Sequence, residues 1–215
     1  MQKQRRNIVI TVIILFAIVA SVVGLFAYQQ WKTHKQILDE FQATVLTPPR
    51  AVGPFMLKNK AGKIFSQSDL LGHYSLLFFG YTRCPDICPT TLSTLNQVLQ
   101  QLRSQGITLP QVVFISLDPA RDDTPYLQEY VHYFNPLFKG VTGTPAQIDA
   151  LTRDLGIAFM KVNANGSLYQ GKDKNYLVDH SGAVLLINQS GQLRAIFQMP
   201  HTSAQMSKEL AFLLR

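Results

Sequence analysis

Cys84 and Cys88 are the only two cysteines of the chain, and they flank three residues in Cys84-Pro85-Asp86-Ile87-Cys88-Pro89. Two thiols this close can close a disulfide, share a metal ion, or alternate between those states. Their surroundings favour a reactive role. A run rich in β-formers, Tyr74 to Tyr81, leads into the pair, and a helical pattern, Thr90 to Leu102, leads out of it. The thiols therefore belong to a strand-to-helix connection at the mouth of a helix. Unpaired backbone N–H groups and the positive end of the macrodipole favour thiolate over thiol there. Pro89 fits that boundary, because the first helical turn does not need its missing N–H. This predicts Cys88 near the N-cap and Cys84 on the loop before it. A purely structural clamp is the weaker reading, since closing so short a loop removes little chain entropy.

The elements that must hold this pair can be read from periodicity. Phe55–Leu57 and Ile64–Phe65 predict a hairpin turning at Asn59-Lys60-Ala61-Gly62, and Ser75–Tyr81 a buried strand before the cysteines. Gln111–Leu117 reads as a second buried strand, Thr124–Phe134 as a helix, and Phe138–Val141 as a short strand. Thr144 and Pro145 mark the cap and first position of a helix that runs to Leu155. Val184–Ile187 and Leu193–Phe197 predict a closing hairpin across Asn188-Gln189-Ser190-Gly191, and Ser203–Leu214 a final helix. Apolar strands alternating with helices imply an α/β domain, a mixed sheet covered on both faces. A thiol pair between the first long buried strand and its helix is the arrangement of a thioredoxin-like fold.

That domain is expected over 51–215. Ahead of it, Ile8 to Tyr28 is apolar but for Thr11 and Ser21 and carries no charge, which is close to the ~20 residues that span a bilayer as a helix. A retained transmembrane anchor is preferred to a cleaved signal peptide because the run is long for the latter and no small-x-small site stands out near its end. Lys3, Arg5 and Arg6 precede it, against Lys32 and Lys35 behind, so residues 1–7 are expected inside and the bulk of the chain exported. Residues 29–50 read as a tether broken by Thr47-Pro48-Pro49. An exported domain meets an oxidising compartment, where a disulfide persists. Setting aside those three N-terminal cations leaves 17 of the 20 basic residues against 13 acidic ones, about +4, with no basic block. No nucleic-acid site is expected.

The cysteine spacing is one residue wider than that of thioredoxin-type oxidoreductases, and the wider loop leaves room for both sulfurs to face one ion. Two thiolates alone suit little but linear Cu(I), so a third ligand matters. Of the five histidines, His34 falls in the tether, and His73 and His132 sit near element edges where solvated or capping roles fit. His201 follows Met199-Pro200, a Met/His pair with copper-ligand chemistry but an ordinary loop setting. His180, in Tyr176-Leu177-Val178-Asp179-His180-Ser181-Gly182, lies on the approach to the closing hairpin, where such folds bring a loop against the reactive cysteines. By its own residues it reads nearer an ordinary turn histidine than a ligand.

Tyr81-Thr82-Arg83-Cys84-Pro85-Asp86-Ile87-Cys88-Pro89-Thr90 resembles the signature of the Sco/SenC family of membrane-anchored copper proteins. Ser116-Leu117-Asp118-Pro119-Ala120-Arg121-Asp122, Gly143-Thr144-Pro145-Ala146-Gln147-Ile148, and Val178-Asp179-His180-Ser181 with Leu186-Ile187 resemble its further motifs in the same order. The resemblance covers about Gly53 to the C-terminus. One departure is an additional acid, Asp123, in Arg121-Asp122-Asp123-Thr124-Pro125, which puts the roles of Arg121 and Asp122 in question.

The resemblance implies that Cys84, Cys88 and His180 bind one copper ion. Two thiolates and an imidazole suit trigonal Cu(I), and an added oxygen ligand would suit Cu(II); structural zinc would want four protein ligands. Oxidation to a Cys84–Cys88 disulfide would expel the metal. Asp118 is expected to orient a thiol or imidazole, with a strand-end cap as the alternative; Asp86 and Asp179 weigh nearer solvated loop residues. The implied function is a copper metallochaperone and thiol reductase that helps assemble the binuclear copper centre of cytochrome c oxidase. Its implied partners are the copper-bearing oxidase subunit and other thiol or copper carriers, at a bacterial inner membrane with the domain in the periplasm. The alternatives are an extracytoplasmic thiol–disulfide oxidoreductase or peroxidase, with Cys84 attacking and Cys88 resolving, and a copper or redox sensor.

Overall fold

Two apolar hexapeptides, each buried along nearly its whole length, set the centre of the sheet, as strands covered on both faces must be. The structure is a computed structural model that describes residues 2–39, 41–59, 61–171 and 175–214, with side chains of the first helix described over 14–32. Helix α1 (Gln2–Asp39) precedes strand β1 (Thr44–Ala51), the hairpin strands β2 (Met56–Lys58) and β3 (Ile64–Ser66), and β4 (Ser75–Gly80). Helix α2 (Ile87–Ser104), β5 (Gln111–Ser116), α3 (Thr124–Phe134), β6 (Lys139–Val141) and α4 (Pro145–Leu155) follow. Then come β7 (Phe159–Val162), β8 (Leu177–His180), β9 (Val184–Ile187), β10 (Gln192–Phe197) and α5 (Ser203–Leu213). The chain divides into two units, Met1–Phe41 and Gln42–Arg215.

In the first unit, Ile14–Lys32 has a mean hydropathy of 1.7 and is 0% buried, a helix long and apolar enough to cross a membrane. Phe16 and Phe26 are 72% and 63% exposed, so this apolar surface is uncovered among the described residues of the helix. The expected span Ile8–Tyr28 lies within α1, though the side chains of its first six residues fall outside the described set.

The second unit is built on a six-stranded mixed sheet in the order β1-β10-β9-β4-β5-β6. β4, β5 and β6 run parallel, while β9 pairs antiparallel with both β4 and β10. Alternation along the strands divides the interior into two layers. Leu77 and Phe79 of β4 and Val113 and Ile115 of β5 join Leu57, Phe65, Ile148, Leu151 and Val178 in one core. On the other face Phe78 packs on Phe114 (ring centroids 5.7 Å apart), and Phe114 packs on Tyr130 of α3 (5.8 Å). The helix starts follow their sequence signals. Thr144 caps α4 in a reciprocal box with Gln147. The additional acid Asp123 caps α3, accepting a hydrogen bond from the Tyr126 amide at 2.9 Å.

Two features depart from expectation. The stretch read as the end of a tether is an edge strand from Thr44 onward, so the folded unit starts about ten residues before Ala51. Thr44 and Val45 pair with Ile196 and Ala195, and Arg50 and Ala51 with Leu193 and Gln192. Pro48 and Pro49 occupy the register shift between them, where a sheet edge needs no amide donor. Arg194 donates to the Leu46 carbonyl at 2.6 Å across this bulge. The second feature is the antiparallel pair β7–β8, whose strands are four residues each and too short to show a period. His180 is therefore the last residue of a strand, opposite Phe159, rather than a turn residue.

Candidate metal centre

β4 ends at Gly80, and the chain must cross from there to α2 above the edge of the sheet. Gly80 is fixed by what lies over it. A Cβ on that residue would stand 2.5 Å from Cys88 Sγ and 2.8 Å from the Phe114 ring, so only glycine lets the sulfur settle at the strand end. Cys88 is the second residue of α2 and fully buried, while Cys84 is half-buried on the preceding loop; both are free thiols. Asp86 is the N-cap residue, yet its side chain makes no cap hydrogen bond. The Cys88 amide donates instead to Cys84 Sγ at 3.4 Å. The sulfur thus does the work of a capping side chain, and the helix N-terminus faces it.

His180 comes to the same point from the end of β8. Its Nε2 lies 3.6 Å from Cys88 Sγ, and its Nδ1 lies 3.0 Å from the Ser181 carbonyl oxygen. A carbonyl can only accept, so Nδ1 carries a proton, and in the neutral ring this leaves the lone pair on Nε2, the nitrogen on the side of the sulfurs. Tyr81 meets the imidazole edge-on (6.1 Å, 86°), and Phe78 lies 6.4 Å from it, which fixes the ring plane. The two Sγ atoms and a ring nitrogen all lie within 4.8 Å of one another. A metal bonded about 2.3 Å from sulfur and about 2.0 Å from nitrogen at a trigonal angle separates those donors by about 3.8 Å. The observed pocket of donors therefore needs little movement to close on one ion.

The two thiols share one proton unequally. The Cys88 thiol donates to Cys84, and with help from His180 and the amides of Cys88 and Asp86 this lowers the Cys84 pKa to about 4 against the opposing effect of burial. The same hydrogen bond, together with burial, pushes the Cys88 thiol well above its ordinary range. The resting pair is a thiolate at Cys84 and a thiol at Cys88. A soft divalent or monovalent ion would have to displace the second proton.

The loop is held from below by a residue whose role sequence reading left in question. Asp122 is 1% exposed and accepts hydrogen bonds from the Thr82 amide (3.0 Å), the Thr82 hydroxyl (2.6 Å) and the Ser116 hydroxyl (2.6 Å). It joins the end of β5 to the residue two before Cys84. Burial raises its pKa, and these three donors offset part of that cost. Its buried, fully bonded carboxylate could have been suspected only from the Asp-Asp pair, in which one acid caps a helix and leaves the other free to turn inward.

Asp118 is also buried, but its partners are Arg121 Nε and the Tyr176 hydroxyl (2.7 Å), neither a thiol nor the imidazole. The Arg121 guanidinium lies 3.7 Å over the Tyr176 ring and 5.7 Å from the Tyr81 ring, and it donates to the Tyr176 carbonyl at 2.7 Å. Asp118 therefore fixes the aromatic wall beside His180 and bonds to neither thiol nor the imidazole, which corrects the expected contact. Asp86 and Asp179 are exposed on the rim of a cavity of about 290 Å3 that Tyr81, Cys84, Ile87 and His180 also line. Of the remaining histidines, His132 is exposed in the last turn of α3, and His201 is bonded through Nε2 to the Gly182 carbonyl at 2.7 Å. His73 Nε2 is buried without a hydrogen-bond partner among the described residues, contrary to a solvated or capping role. The side chain of His34 lies outside the described residues.

Comparison with known proteins adds to this geometry. The SCO1/SenC family profile matches residues 43–215. An SCO2-like protein of Rickettsia prowazekii is 33% identical over 197 residues, covering 92% of this chain and 93% of that protein. Among solved structures, Arabidopsis thaliana ScoI with copper bound superposes with a TM-score of 0.68 at 31% identity, covering 75% of this chain and 97% of that one. Yeast Sco1 with copper bound gives 0.67 at 32% identity, covering 76% and 88%.

Proposed function

The chain belongs to the SCO1/SenC family, and from that premise we propose that it is a membrane-anchored copper metallochaperone whose metal ligands are Cys84, Cys88 and His180. One observation carries the reading: two sulfurs and a tautomer-fixed imidazole converge within 4.8 Å at the mouth of a helix. Two thiolates and one neutral imidazole are a soft donor set that favours Cu(I) over harder ions. Three donors on a partly open rim suit a cargo ion that must leave, whereas a structural zinc site would be closed by four.

Copper and the Cys84–Cys88 disulfide exclude each other, because both need the same two sulfurs. The cysteine pair then serves as a redox switch: reduced, it loads copper; oxidised, it releases it. The apolar helix over Ile14–Lys32 is the membrane anchor of this reading. The basic N-tail stays in the cytoplasm of a bacterial cell and the domain from Gln42 onward works in the periplasm. The acceptor is the copper-bearing subunit of cytochrome c oxidase, whose binuclear centre the protein helps to assemble.

The test is copper stoichiometry and affinity of the reduced protein, with zinc as competitor. One copper per chain, retained against zinc and lost in His180→Ala while the disulfide of that variant still forms, supports the assignment. Equal copper affinity in His180→Ala overturns the ligand set, and no copper with readily cycling thiols moves the protein to the oxidoreductases.

A further inference from the structure

A methionine lies against the loop that follows His180. Met199 follows β10, and its side chain lies directly on Gly182, two residues beyond His180. A Cβ on Gly182 would stand 2.0 Å from Met199 Sδ and 2.9 Å from its Cγ, with Ile87 Cγ2 next at 3.5 Å. Ile87 immediately precedes Cys88, so Gly182, against which the thioether lies, also faces the start of the cysteine helix. His201 donates from Nε2 to the Gly182 carbonyl at 2.7 Å, which fastens the Met199–His201 segment to the His180 loop at a second point. Yet Met199 remains 46% exposed. A thioether is also a soft, neutral ligand on a side chain with three rotatable bonds.

We propose that Met199 is a port ligand for Cu(I), taking the ion as it passes between the Cys84–Cys88–His180 triad and an acceptor. This rests on the copper reading above. The step is a ligand exchange: a copper–sulfur bond to the Met199 thioether forms, the copper–nitrogen bond to His180 breaks, and the imidazole regains its lone pair. Both exchanged ligands are neutral, so no proton or electron moves and the ion stays Cu(I). Releasing a thiolate first would instead leave a buried anion at Cys88 or require its protonation. With His180 displaced, the ion is held at the surface side of the site, where an incoming ligand can reach it.

The test uses the full-length reduced protein in detergent micelles, loaded with one Cu(I), and follows transfer to bicinchoninate by absorbance. Met199→Leu keeps the size and apolarity of the side chain but removes the donor. It is expected to slow copper transfer about tenfold, equivalent to about 1.4 kcal/mol of barrier, with equilibrium affinity unchanged. Met56→Leu, at an exposed methionine (57%) on the β2–β3 hairpin, should match the parent. Methyl-labelled methionine NMR with Ag(I) as a diamagnetic soft probe should shift the Met199 methyl in the parent protein. If Met199→Leu transfers copper at the parental rate while His180→Ala loses the metal, the port is wrong and the triad stands. If Met199→Leu loses affinity as His180→Ala does, Met199 is a resident ligand and the port is again wrong. If the parent binds no Cu(I), the triad and the port fall together.

Discussion

Gly80 ends its strand directly beneath Cys88: a Cβ there would lie 2.5 Å from the cysteine sulfur, closer than real atoms approach. The buried sulfur and the Phe114 ring on the same side leave it nowhere to go. A strand-end glycine thus sets where the deeper of the two sulfurs sits. Gly80→Ala should cost about 1–3 kcal/mol through overpacking and push Cys88 away from His180. Chemical denaturation of the reduced protein checks the first part. Under the copper reading, weaker metal binding at unchanged secondary structure checks the second; unaltered binding would mean that the helix start can shift without loss.

Cys84 should alkylate as a thiolate well into acid. With its pKa lowered to about 4, it is deprotonated above that pH, so the iodoacetamide rate should stay flat from neutrality downward and fall only as pH approaches 4. In denaturant the same residue should return to about 8.5 and lose reactivity tenfold per pH unit below it. Mass mapping should place the label on Cys84, since Cys88 is buried and holds its proton. A folded-state midpoint near 8 would contradict the shared-proton arrangement.

Asp122 should matter more than its distance from the sulfurs suggests. Asp122→Ala leaves the Thr82 amide and two hydroxyls without their acceptor in a buried place, which should cost about 2–4 kcal/mol. Asp122→Asn, which keeps an acceptor oxygen, should recover part of that. Because the lost contacts hold the loop two residues before Cys84, the midpoint of the Cys84–Cys88 disulfide in glutathione buffers should shift in Asp122→Ala as well. A stability loss with an unmoved midpoint would make Asp122 a core residue only.

Glu209 of α5 secures the start of the folded unit. It is 1% exposed and accepts from the amides of Gln42 (2.7 Å) and Ala43 (3.2 Å). Glu209→Ala should expose this stretch, with faster amide exchange at residues 42–43 and easier proteolysis ahead of β1 than in the parent. Protection at those amides equal to that of the parent would show that β1 pairing alone holds them.

Much of this protein was determined by local sequence. Thr144-Pro145, the Asn188–Gly191 turn and the buried runs at Ser75 and Gln111 act through caps, turn chemistry and burial, all nearest-neighbour effects, and the elements they predict are the ones observed. The helix mouth at Cys88 belongs to the same class. The residues that tertiary structure decided share another property: their partners lie far along the chain. His180 meets Cys88 across 92 positions, and nothing in its own neighbourhood distinguishes it from a turn histidine. Pro48 and Pro49 read locally as a breaker, but a sheet edge absorbs them because the outer face of an edge strand needs no donors. Asp118 and Asp122 look alike in sequence, and only the fold sends one to Arg121 and Tyr176 and the other to Thr82 beneath the cysteine loop. Short-range chemistry thus specified the reactive pair, and long-range packing specified what stands around it, since the position of a buried polar group depends on donors that no local pattern encodes.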